Sequence, residues 1–176
     1  FGGRALTGTA GKWYGRKSRL PGLGRVRGGA QMEREIDPYS YQCGVMDAFC
    51  EMVHAGVKKI ALSHPCPTRE ERDSYLPEAE RLCRKYGVRC FLENGGLVTD
   101  LFPRALNEDS YNLVFYRREE DIAAYRAIGE EKARLLAGGA YRGAARERLA
   151  ADLGRLLGYR EEDIARLMAE NGDREP

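Results

Sequence analysis

Long apolar runs are missing from this sequence. None approaches the roughly 20 residues that cross a bilayer as a helix, so no membrane partner is expected. The opening residues lack the succession of basic start, apolar stretch and small-residue cleavage site that marks export, and the expected location is cytoplasmic. Histidine is scarce, with His54 and His64 alone. The five cysteines, Cys43, Cys50, Cys66, Cys83 and Cys90, contain no C-x-x-C pair. Zinc sites need such closely spaced ligands, so no metal site is expected. An odd number of cysteines in a cytosolic context reads as free thiols in or near the core.

Recognisable catalytic motifs are missing too. There is no G-x-x-x-x-G-K-S/T, no G-x-G-x-x-G between a strand and a helix, and no G-x-S-x-G elbow. Gly95-Gly96 and Gly138-Gly139 are not phosphate loops. The sequence therefore names no cofactor and no reaction.

Acidic residues are absent from positions 1–31, which carry seven basic ones, Arg4 to Arg27. The other 22 basic residues face all 27 acids, leaving positions 32–176 net −5. That mildly acidic body argues against a nucleic-acid surface. Residues 1–31 hold few aliphatic side chains and cannot bury a face, so they read as a disordered basic segment. The chain opens on Phe1, and Arg27-Gly28-Gly29 is what a purine-rich bacterial ribosome-binding site would encode just upstream of Met32. The expectation is a native start at Met32. A basic arm touching phosphates and a fusion remnant are the alternatives.

What is present is a globular composition: 43% hydrophobic, 32% charged, 176 residues, enough for one core. Asp37-Pro38 opens a helix that ends near Gly56. Lys58 to Ser63 reads as a strand. Thr68-Arg69-Glu70-Glu71 is a capping box for a helix to Tyr86, with a kink or restart at Pro77. Val88 to Glu93 is a second strand, and Asn94-Gly95-Gly96 a turn. Leu97 to Phe102 reads as a third strand paired in a hairpin with the second. Tyr111 to Tyr116 is a fourth. Three helices follow, from Glu119 to Gly138, over 143–157 and over 161–170.

This order predicts a single α/β domain over 32–176. It would be small and three-layer-like, with a three- to four-stranded, partly parallel sheet flanked by helices and a helical C-terminal cap. Strands 58–63 and 88–93 would be the parallel pair, joined by a right-handed crossover.

Open α/β sheets bind ligands where strand ends meet. There lie Ser63-His64-Pro65 and Glu93-Asn94-Gly95-Gly96. His64 could shuttle protons near neutral pH, with Glu93 orienting it or acting as base. Ser63, Asn94 and the amides of Gly95 and Gly96 could hold an oxyanion or phosphate, and Asp100 would join if 94–96 is a wide loop. The bland reading makes these residues caps and turns.

Two other patterns carry less. Glu51-x-x-His54 has the spacing of carboxylate-bridged di-metal sites, but no second E-x-x-H exists. The segment 149–171 superficially resembles a helix-turn-helix, yet Glu161, Glu162 and Asp163 would repel phosphates at the reading end.

The functional expectation is a small polar or anionic ligand bound at the strand C-terminal ends. His64 and Glu93 would transfer protons if the protein is an enzyme. The alternative is a non-catalytic interaction or homo-oligomerisation module, using the apolar stripe Leu149 to Met168 on the C-terminal helices.

Overall fold

The Asp37 carboxylate accepts a hydrogen bond from the Ser40 amide at 2.8 Å. This caps α1 (Pro38–His54), whose first residue is a proline that needs no donor partner. The computed structural model describes residues 35–175. The expectations for residues 1–31 and for a start at Met32 concern positions outside these. Asp37–Pro176 form one compact unit.

β1 (Ile60–Leu62) is followed by α2 (Arg69–Ser74), where the Thr68 hydroxyl accepts from the Glu71 amide at 3.1 Å. The chain then restarts as α3 (Leu76–Tyr86), with Pro77 in its first turn, and stops at Gly87 in the left-handed region. β2 (Arg89–Asn94) and α4 (Arg104–Asn107) precede β3 (Tyr111–Tyr116). α5 (Glu119–Ala137), α6 (Ala144–Leu156) and α7 (Glu161–Glu170) complete the described chain.

The sheet differs from the expectation in its pairing, and one of the four candidate strands does not form. The sheet has three strands in the order β1-β3-β2, and both pairings are antiparallel. The expected partly parallel sheet, with strands 58–63 and 88–93 side by side, is therefore corrected. β1 and β2 do run the same way, but β3 lies between them. The reason is apolarity on both faces. Leu113, Val114 and Phe115 are all fully buried, and a continuous buried run suits a central strand, not an edge.

The expected strand 97–102 is corrected as well. Gly95 and Gly96 both hold positive φ, 98° and 57°, and turn the chain away from β2. Side chains then take the carbonyls that a ladder would have used. Lys132 Nζ donates to Val98 O at 2.8 Å, and Asn171 Nδ2 donates to Asp100 O and Phe102 O at 3.0 and 2.9 Å.

Two cores flank the sheet. On one face Leu113 and Phe115 pack with Met46, Cys50 and Val53 of α1 and Leu82 of α3. On the other, Ile60 and Val114 pack with Ile122 and Tyr125 of α5 and with the C-terminal helices. Leu149, Leu153, Leu156, Leu157 and Ile164 are buried in that second core, with Leu167 and Met168 half-buried against it. The stripe that the alternative reading offered to a partner packs into this second core. No helix among the described residues is long and apolar enough to cross a membrane.

Candidate functional site

Because β1 and β2 share a direction, their C-terminal ends emerge at one edge of the sheet, with the start of β3 between them. The β1 end is irregular. Ser63 N donates to Leu113 O at 2.8 Å, and Leu113 N donates in turn to the Ser63 hydroxyl at 2.9 Å. Pairing resumes at Cys66, which exchanges both backbone bonds with Tyr111. His64 and Pro65 leave the ladder between these two levels. The His64 carbonyl accepts from the Ser63 hydroxyl at 3.1 Å and from the Cys66 thiol at 3.5 Å.

The β2 end is held by a buried cation. Arg72 of α2, 3% exposed, donates to Glu93 O and to Asn94 Oδ1, each at 2.9 Å, and to the Asp73 carboxylate. Gly95 N donates to Ser110 O at 2.9 Å. Gly96 packs so closely against the α4 end that a Cβ built there would lie 2.0 Å from Asn107 O. Asp100 is drawn elsewhere: its carboxylate takes two hydrogen bonds from Arg146 of α6, at 2.8 and 2.7 Å.

Glu93 turns into the second core. Tyr125 donates to its Oε1 at 2.5 Å, and Asn112 Nδ2 lies 3.4 Å from its Oε2. Burial holds this carboxyl above the usual carboxylate value, against the opposing effect of those two bonds. Such a group binds its proton more tightly folded than unfolded. Stability is therefore expected to fall as pH rises from the unfolded value, about 4.3, through the raised folded one. Thermal melts in buffers spanning that window check this. Wild type should lose midpoint relative to Glu93→Gln as pH rises, and parallel curves would refute it.

Two cavities border this cluster. A more open groove of about 350 Å³ lies between β2 and α5, lined by Phe91, Glu93, Leu97, Tyr125 and Arg126. A cavity of about 170 Å³ follows the β1 edge. Ala61, Leu62, Ser63 and Pro65 line it from the strand side, Phe49 from α1, Leu153 from α6 and Asn112 from β3. Leu106 and Tyr159, both partly exposed, also line it. Ser63 is the one residue expected at the ligand site that lines this cavity; Glu93 and Asn94 line the open groove, and His64, Gly95, Gly96 and Asp100 line neither.

Sequence reasoning missed Lys58. Its ammonium donates to Leu157 O at 2.5 Å and faces the rings of Tyr159 and Phe49, 5.3 and 5.8 Å from their centres. It has no carboxylate partner among the described residues, and burial pulls it below the usual lysine value. The close approach depends on Gly158, whose absent Cβ would meet Val57 O at 2.9 Å and Lys58 Cγ at 3.4 Å. The available signal was Gly158-Tyr159, which reads as a helix break and not as a seat for a distant lysine.

The thiols are poor nucleophiles here. All five cysteines are free, and burial pushes Cys66 up to about 11 and Cys90 to about 12. Among the described residues no group of three or more histidine, cysteine or acidic side chains could hold a metal ion. Comparison with family models, with curated proteins and with solved structures finds no match for this chain.

Proposed function

We propose that the chain binds a small anionic molecule with an apolar body in the cavity along the β1 edge. One observation carries this reading: Lys58 lines an otherwise largely apolar cavity without a carboxylate partner among the described residues. An ammonium has three donors, and Leu157 O takes one. A ligand carboxylate or phosphate would accept from the others and offset the desolvation of the lysine. The aliphatic and aromatic walls, with a few placed polar groups, have the composition of small-molecule sites.

Lys58→Met tests the assignment. The variant keeps most of the stem volume and removes the charge. Calorimetric titration with octanoate is expected to show at least about ten-fold weaker binding than wild type, since a charge-assisted contact contributes about 1.5–3 kcal/mol. Melting curves of the two proteins read the cost of the lost Leu157 bond separately from the loss of the ligand contact. Equal affinity in the two proteins would remove Lys58 as the anion's partner.

A further inference from the structure

Lys58 lines the cavity just before β1, and Asn112, beside the end of β1, holds a polar atom without a partner among the described residues. Asn112 sits in β3, 1% exposed, and lines the cavity. Its amide nitrogen donates to Ser110 Oγ at 3.1 Å and approaches Glu93 Oε2 at 3.4 Å. Turned this way, the amide nitrogen meets both acceptors. Its Oδ1 is cut off from solvent and accepts no hydrogen bond among the described residues. A buried acceptor left bare is uncommon, and an unfilled ligand position is one explanation of it.

We propose that the ligand carries a hydroxyl or N–H donor at the end remote from its anion, and that Asn112 Oδ1 accepts it. The ligand class is then an elongated aliphatic carboxylate with a terminal donor. This rests on the cavity reading above and deepens it.

The spacing of the two ends follows from β1. Lys58 precedes the strand, while Asn112 adjoins Leu113, whose N–H and C=O both bond Ser63. The five steps from Lys58 to Ser63 span at most roughly 17 Å at about 3.4 Å per residue. Between the ends the wall is apolar, with Ala61, Leu62, Leu153 and Leu157. A compact ion such as phosphate would reach one end and leave the other bare. A chain of methylenes fits the middle, and its terminal groups meet Lys58 and Asn112. Sites that hydrogen-bond a hydroxyl reject analogues lacking it, because the protein's own buried group stays unpaired.

The test is calorimetric titration of the full chain with ω-hydroxyhexanoate, ω-hydroxyoctanoate and ω-hydroxydecanoate. Each is compared with its ω-methyl ether and with the plain alkanoate. The best-fitting hydroxy acid is expected to bind at least about ten-fold tighter than either analogue. In Asn112→Leu that preference should disappear. If this variant does not fold, the wild-type ratio decides alone. Hydroxy acid and analogues binding alike, with binding still lost in Lys58→Met, would overturn the donor assignment and leave the anion cavity standing. No binding by any acid of the series would overturn both.

Discussion

Replacing Asp100 with alanine is expected to lower the unfolding free energy by about 3–5 kcal/mol. The carboxylate is 3% exposed as a residue and takes two hydrogen bonds from the Arg146 guanidinium. Arg146 also donates to Glu175 O at 2.6 Å and lies over the Tyr141 ring, 5.4 Å from its centre. Together these tie the irregular segment after β2 to α6 and to the chain's last described residues. Removing the acid takes the doubly bonded carboxylate away from a largely buried guanidinium, and breaking such a pair costs more than the pair contributes. The midpoint should drop by roughly 10 °C or more. Arg146→Met in the same chain should recover part of the loss, because it removes the charge that the carboxylate had balanced. Octanoate binding should survive Asp100→Asn, since Asp100 lines neither cavity. A loss under about 1 kcal/mol would mean that water reaches Arg146 freely, and the tie described here would be wrong.

Gly96→Ala is expected to cost about 3 kcal/mol or more, whereas Gly95→Ala should cost about 1–2 kcal/mol. Both glycines lie in the left-handed region, so an added Cβ strains the backbone at either. Space separates them. At Gly95 nothing lies within 4 Å of the new atom; at Gly96 it would sit 2.0 Å from Asn107 O and 2.6 Å from Ser110 Oγ. Backbone cannot yield as a flexible side-chain tip can, so the α4 end must move. Ser110 Oγ accepts from Asn112 Nδ2, and the disturbance should reach the cavity wall. Urea unfolding of the two variants checks the ordering. Equal losses would show that Gly96 is required only for its φ and that the close approach is slack.

Local features were legible because the residues that make them are adjacent. Asp37-Pro38, Thr68 with Glu71, and Gly87 each act within one helical turn, and the structure places their caps and stops where the spacing predicts. The segment Tyr111–Tyr116 was legible as a strand over its full length. Strand order was not, because it depends on which strand is apolar on both faces once the helices are docked. That signal was present in Asn-Leu-Val-Phe, but a parallel crossover explained the preceding residues equally well. Leu97 to Phe102 is apolar at both ends like a short strand, and nothing nearby in sequence reveals that Lys132 and Asn171 take its carbonyls. The site divided in the same way. Ser63 and Glu93 could be placed at strand ends from sequence. Lys58 owes its hydrogen bond and its nearer ring to Leu157 and Tyr159, about a hundred positions away.

The central place of β3 also orders the chain's assembly in time. During synthesis the ribosome delivers α1, β1, α2, α3 and β2 before the one strand that pairs with both others. Until Tyr116 has emerged, β1 and β2 have no ladder, and the apolar faces around Met46 and Leu82 have no Leu113 or Phe115 to cover them. Every sheet contact is thus a long-range one, made late and at a high loop-closure cost. A nascent or truncated chain that stops short of Tyr111 carries the parts of a sheet but no sheet, with its apolar surface open to aggregation or to chaperones.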